Sequence, residues 1–487
     1  MKKIFSLNIL VIAMVVVGVY ILIKKGEKLP VKSVQASTQA VLAKNNISKV
    51  AVPLNGISQV FGQFIENARH PLSLLLLQIL VIIAASRVFS MLLTFIGQPS
   101  VVGEILAGLF LGPSAMGLLF PDFFHFIFPD SSLGNLQFLS QIGLAFFMFI
   151  IGMELDISVI RSKASDALFV STVSIAIPFL LGVSLAYFIY DAYAPSGVGF
   201  LAFCLFIGIS LSITAFPVLA RILQERNMTK NPVGVMALIC AATNDVIGWC
   251  ILAAVIAIAK AGAIASALFT IILAIVFVTV MLLGIKPLLA KFLNKKLGNE
   301  EPGKLTVAFS LLTLLCSAYI AELIGIHALF GAFIAGVIMP PDSNFKRKIT
   351  DKLEDVSVLI LLPIFFAFTG LRTQIGLLND SRGWEVFGLV LLVAVSGKLV
   401  GSAMAAKVAG QSWKNSLMIG SLMNTRGLME LIVLNIGYDL GILSPQIFAM
   451  MVLMALATTL MTGPCLNLIE WISKKRFLSR NNYSQTL

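Results

Sequence analysis

The chain has 487 residues, 58% of them hydrophobic and 12% charged, with a mean hydropathy of +0.97. That composition excludes a soluble globular domain, since apolar runs of about 20 residues, the length that crosses a bilayer, recur from end to end. The formal net charge of +12 does not mark a nucleic-acid binder, because Lys and Arg sit in short clusters between apolar runs, where they set topology.

Residues 1–25, Met1-Lys2-Lys3 and the apolar run to Ile23, read as a signal peptide or a signal anchor. Lys24-Lys25 directly after the run favours an anchor, while small residues at Val34-Gln35-Ala36 keep processing open. Residues 26–70 are polar and mixed, and read as an extracytoplasmic linker. The region 71–470 then holds about thirteen spans, near 72–95, 100–120, 134–154, 166–190, 197–222, 233–259, 262–284, 304–324, 326–340, 355–371, 385–406, 415–437 and 445–467. The loops alternate in charge. One side carries Arg161 and Lys163, then Arg221, Arg226 and Lys230, then Lys286 and Lys291, and later Lys346, Arg347 and Lys348. The other has Lys260, Arg372 and Arg382 among acidic stretches such as Pro121-Asp122. This asymmetry puts the tail 471–487 in the cytoplasm and the start of the first core span outside, as in a multi-pass protein of a bacterial inner membrane. Lys24, Lys25, Lys28 and Lys32 run against the rule. The five cysteines lie in or at the edge of apolar runs with no metal-ligand spacing, and read as small buried side chains.

Asp245, in Asn244-Asp245, falls near the middle of the sixth span. A carboxylate at that depth is costly and marks a functional site unless it is paired to a neighbouring helix. Two other spans are interrupted. The fifth contains Ser212-Ile213-Thr214-Ala215-Phe216-Pro217, and the twelfth Met423-Asn424-Thr425-Arg426-Gly427. Pro217 supplies no helical N–H, and unwound backbone at membrane depth is tolerated only when buried in protein or lining a watery cavity. The two breaks lie seven spans apart, an odd number, so they cross in opposite directions. Spans one to six and eight to thirteen therefore overlay as inverted six-helix repeats with span seven as linker, a layout that points to a transporter's binding site. The fold class is an all-α polytopic membrane protein with an added N-terminal hydrophobic segment.

These residues carry a family resemblance. The segments are residues 97–108 (GQPSVVGEILAG), 149–155 (FIIGMEL), 212–223 (SITAFPVLARIL), Asn244-Asp245, Gly331-Ala332-Phe333 and 423–437 (MNTRGLMELIVLNIG). Across roughly 71–470 the chain resembles monovalent cation/proton antiporters of the sodium/proton exchanger superfamily, on the branch of plant cation/proton exchangers and bacterial potassium-efflux antiporters. The resemblance implies a homodimer, a fixed scaffold of spans one to three and eight to ten, and a moving core of spans four to six and eleven to thirteen. It also implies that Lys398, near mid-depth of span eleven, faces the aspartate as an ion-pair partner of Asp245 or Asn244. Some relatives have two adjacent aspartates where this chain has Asn244-Asp245, or Arg-Gly-Glu where it has Arg426-Gly427-Leu428, with the acid at Glu430; proton stoichiometry is left open. No Gly-rich phosphate loop follows the last span, so a fused nucleotide-binding domain is not expected.

The expected function is exchange of Na⁺ or K⁺ for H⁺. Asp245 supplies the charge, and Asn244, Thr214 and freed carbonyls supply oxygens. A carboxylate that crosses bearing neither proton nor metal is a naked buried charge, which enforces coupling. Arg426 and Glu430, four apart, read as a structural pair. Glu104, Arg87, Glu154 and Glu322 read as packing or gating groups, not ligands, and His327 as a capped or solvated histidine at a helix start. A cation-binding sensor or a passive channel is the alternative; no Thr-Val-Gly-Tyr-Gly filter supports the channel. No enzyme signature or cofactor motif stands out.

Overall fold

The computed structural model describes residues 2–30, 67, 70–154, 164–261, 264–297, 304–340 and 343–484. Most of the expected linker, together with Arg161 and Lys163, lies outside the described residues. The described residues are helical and contain no strand. In hydrocarbon a backbone must satisfy its own N–H and C=O groups, and a helix does so within one segment.

Twelve described helices are long and apolar enough to cross a membrane, the first being Ser6–Gly26 near the N-terminus. Eleven follow it. Trp413–Met423 and Leu428–Asp439, bent by 40°, add a broken span, and the ten-residue helix Ala328–Val337 adds a short one. These thirteen fall where the apolar runs place them. Span nine is shorter than its apolar run because Gly325 (φ +94°) and His327 (φ +80°) turn the chain just before it. Buried among its neighbours, it has no need to match the bilayer thickness.

Spans one, two, three, nine and ten pack on one another, with span eight against span nine; spans four, five, six, eleven, twelve and thirteen form a second group. Glycines set the closest approaches in the first. A Cβ on Gly108 (span two) would strike the Phe366 carbonyl of span ten, and one on Gly152 (span three) would strike the Phe333 carbonyl of span nine. Small residues that let backbones meet are the usual glue between helices in lipid, where no hydrophobic effect drives them together. Span seven lies outermost, with Leu268, Phe269, Ile272 and Ile275 exposed. The N-terminal helix Lys2–Gly26 lies along span four, Gly18 over Leu180 and Gly26 over the Phe200 ring.

The cysteines divide. Cys204 and Cys240 are buried and Cys465 half-buried, but Cys250 and Cys316 are exposed, which corrects the expectation that all five are buried. In a membrane protein an apolar run does not imply an inward face, since lipid accepts small apolar side chains as readily as neighbouring helices do.

Candidate functional site

Span five is two half-helices, Phe200–Ser212 and Phe216–Glu225, joined by extended residues: Ile213 has φ −79° and ψ 140°, Ala215 φ −88° and ψ 95°. Pro217 is not the break itself. It sits in the first turn of the second half-helix, where its missing N–H is not needed. The Ser212 hydroxyl donates to Gly208 O at 2.6 Å and so stays within its own helix. In span twelve, Asn424 ends the first half-helix and Gly427 (φ +143°) begins the second. The backbone there is in a region that side chains disfavour.

The two breaks are tied together. Ala215 N–H donates to Thr425 O at 3.1 Å, and the Thr214 hydroxyl donates to Met423 O at 3.1 Å. Thr425 meets Thr462 of span thirteen (Oγ1 to Oγ1, 3.3 Å), and Arg426 N–H donates to Thr459 Oγ1 at 3.1 Å. Backbone groups freed by unwinding are thus satisfied inside the protein.

Arg426 is fully buried and closes the first break. Its guanidinium donates to the carbonyls of Ser210 (3.1 Å) and Leu211 (2.7 Å) and to Glu430 Oε1 (3.2 Å). Those carbonyls are among the last of a half-helix, where no N–H follows to bond them and the helix dipole is negative. The spacing of Arg426 and Glu430 anticipates their pair; the capping of span five is legible only in three dimensions.

Lys398, also fully buried, has three neutral acceptors. Its Nζ donates to Thr214 Oγ1 (2.7 Å), Ser174 Oγ (3.2 Å) and Asn244 Oδ1 (3.2 Å). The Asn244 amide is turned so that its nitrogen donates to Ser171 Oγ at 2.6 Å; the opposite orientation would set an NH₂ against the ammonium. All three ammonium protons are therefore placed.

Asp245 is different. It is 1% exposed, and neither carboxylate oxygen has a hydrogen-bond partner within the protein. Lys398 acts on it through space but makes no salt bridge with it, and the Phe216 N–H faces it without reaching hydrogen-bond geometry. Asn424 Oδ1 is likewise buried and unpartnered. The crossing thus brings Asn244, Asp245, Thr214, Lys398, Thr425 and Arg426 together, leaves Ser212 and Pro217 at its edge, and keeps Glu430 for Arg426. Ser171, Ser174, Thr459 and Thr462 are additions that sequence reasoning misses. Their signal is hydroxyls three apart within apolar spans, the pattern of interhelical hydrogen bonding.

A cavity of about 800 Å³ runs from the end of the bundle that bears the basic loops up to Phe216, Pro217 and Leu428. Asp245 is not among the lining residues, but the Phe216 N–H faces it. The opposite end is tighter, with a cavity of about 240 Å³ beside Lys260, Glu322, His327 and Asp439. Arg372 of span ten holds Asp439 of span twelve at 2.6 Å, and Asn435 Nδ2 donates to Thr369 Oγ1 at 2.9 Å. Glu322 accepts from Ala328 N–H at 2.8 Å, and His327 Nδ1 accepts from Leu329 N–H at 3.4 Å, so both cap the start of span nine.

Several known proteins share this plan. The chain is 42% identical over 399 residues to the Na(+)/H(+) antiporter NhaS4 of Synechocystis, covering 81% of this chain and 97% of the relative. It is 40% identical to cation/H(+) antiporter 19 of Arabidopsis thaliana (83% and 50% covered), and 33% identical to the K(+)/H(+) antiporter 1 of Saccharomyces cerevisiae (86% and 49% covered). The chain thus spans about half the length of those plant and yeast relatives. In fold it is similar to the sodium proton antiporter MjNhaP1 of Methanocaldococcus jannaschii, with a TM-score of 0.62 at 16% identity over 83% of this chain and 98% of the other. The sodium/hydrogen exchanger transmembrane family matches residues 79–469, and with thirteen spans folded around two crossed breaks, the chain belongs to that family of integral multi-pass membrane transporters.

Proposed function

We propose that the protein is a secondary antiporter that exchanges a monovalent cation, Na⁺ or K⁺, for H⁺, with Asp245 carrying one or the other. The observation that carries this reading is the contrast at the crossing: every other charged group there is bonded, while both Asp245 oxygens lack a protein partner. A buried carboxylate in that condition needs a proton or a cation. Asn244, Thr214, Asn424 Oδ1 and the freed carbonyls are the oxygens available to complete a cation's shell. The names of the cyanobacterial and yeast relatives support the two cations.

Under the positive-inside rule the basic loops and the C-terminus are cytoplasmic, so the large cavity faces the cytoplasm and the crossing is inward-facing. Alternating access follows if the core spans slide as an elevator past the scaffold, carrying Asp245 with them. That motion must part Arg372 from Asp439 and Thr369 from Asn435, contacts that join scaffold to core. Lys398, with three hydrogen bonds, stays charged. One cation then replaces one proton on Asp245, and the exchange is electroneutral. The protein works as a homodimer in a bacterial inner membrane, with the exposed apolar faces of its outer spans against lipid and partner.

Proteoliposomes test the reading. Addition of Na⁺ or K⁺ is expected to move protons with wild type and not with Asp245→Asn, and a clamped membrane potential should leave the wild-type rate unchanged. Exchange by the mutant at the wild-type rate would make Asp245 structural.

A further inference from the structure

The large cavity is lined by carboxylates that the crossing does not use. Glu104 of span two, Glu154 at the end of span three and Glu354 at the start of span ten all belong to the scaffold. Glu225, on the second half of span five, is held by Arg221 at 3.3 Å. The other three have no salt bridge among the described residues. Glu104 stands out: it is 6% exposed, lies within a membrane span, and makes no hydrogen bond or ion pair among the described residues. Arg221 and Arg87 act on it only through space. Glu154 and Glu354 lie near enough to repel one another. A charged carboxylate deep in a bundle is retained only if something compensates it, and the cavity that Glu104 lines gives a compensating ion a way to reach it.

We propose that Glu104, in the cavity that Glu154 and Glu354 also line, forms a second monovalent-cation site, fixed in the scaffold at the cytoplasmic approach to Asp245. A cation that sheds part of its water there waits beside Phe216 and Pro217, which line the same cavity. Four carboxylates against Arg221 leave the cavity walls acidic, and an excess of one sign on walls of low dielectric raises the local concentration of the opposite charge, so the site supplies the travelling carboxylate without moving itself. This deepens the antiport reading and rests on its inward-facing arrangement.

Equilibrium binding of Tl⁺ to purified Asp245→Asn protein is the test. Weak saturable binding should remain in that variant and disappear in Asp245→Asn with Glu104→Gln. No Tl⁺ binding to Asp245→Asn, or residual binding indifferent to Glu104→Gln, would overturn the proposal. If the double variant does not fold, Tl⁺ density beside Glu104 in a structure of the single variant decides the matter by its presence or absence. In wild-type liposomes, Glu104→Gln should raise the half-saturating cytoplasmic cation concentration about five- to tenfold and keep the maximal rate. A fall in maximal rate alone would make Glu104 structural. Failure of antiport itself would show as no cation-driven proton movement in wild type, an outcome separate from Tl⁺ binding.

Discussion

Two pairs of buried opposite charges lie in the same crossing and are built in opposite ways. Arg426 and Glu430 touch at 3.2 Å, and Arg426 is further bonded to two carbonyls. Asp245 and Lys398 do not touch: the lysine is satisfied by Thr214, Ser174 and Asn244, and the aspartate by nothing in the protein. A pair in contact neutralises its own charge and serves to hold the broken helices, although Arg426 Nε and Glu430 Oε2 have no hydrogen-bond partner. A pair held apart keeps one member available. The difference separates framework from working site more clearly than depth or residue type, since all four groups are buried.

The comparison breaks most visibly at Arg426. Arg426→Ala leaves Glu430 as an uncompensated buried charge and strips the end of a half-helix, a loss of about 3–5 kcal/mol. The expected outcome is protein that aggregates or melts many degrees lower in detergent by scanning fluorimetry. Wild-type melting of Arg426→Ala would remove the framework role. Lys398→Met should behave otherwise. It leaves three neutral groups that can bond one another, so melting should change little, while removal of a positive charge near Asp245 should lower the half-saturating cation concentration by roughly tenfold, about 1.4 kcal/mol. Exchange should stay independent of membrane potential. If wild type proves electrogenic and Lys398→Met electroneutral, the lysine moves a proton and the one-for-one reading fails. Thr214→Val is a smaller change in the same place. It removes an acceptor from a charged donor, a loss of about 1.5–3 kcal/mol shared between stability and cation affinity. Thr214→Ser should restore both, and failure of that rescue would mean the methyl group, not the hydroxyl, matters.

How much of this was legible in the sequence follows from the physics of each part. Thirteen spans could be counted because lipid imposes a length, and the two breaks could be seen because Pro217, Asn424 and Gly427 are costly in a spanning helix. Asp245 showed itself by depth alone. The partners of Lys398 did not, because Ser171 and Ser174 look like ordinary small residues in an apolar span until span four is laid against span six. The true position of the first break, at Ile213 to Ala215, was hidden by Pro217, which draws the eye one turn too far. Glu104 could be found but not understood: only the fold shows that it lines the large cavity. Cys250 and Cys316 misled for the converse reason, since apolar sequence does not say which face meets lipid.

Between the closed and the open pair stands Arg372–Asp439, at 2.6 Å but partly exposed, with side chains 16% and 31% accessible. Its members lie on the two separate groups of packed spans, so under the proposed elevator motion its strength is spent on one conformation and not on the fold. If it holds the inward-facing arrangement, Arg372→Gln and Asp439→Asn should each shift the balance outward by about 1 kcal/mol, the range of a partly exposed pair. The double variant should shift it no further than either alone, because both remove the same contact. The measurement is accessibility of a cysteine placed at Leu428, beside the inner cavity, to a thiol reagent added from the cytoplasmic side, in a background without the five native cysteines. Accessibility should fall severalfold in both single variants. Equal labelling in all four proteins would reduce the bridge to a surface contact, and additive effects would show that Arg372 and Asp439 act through different neighbours, with Asn435 (3.3 Å from Arg372) the first to examine.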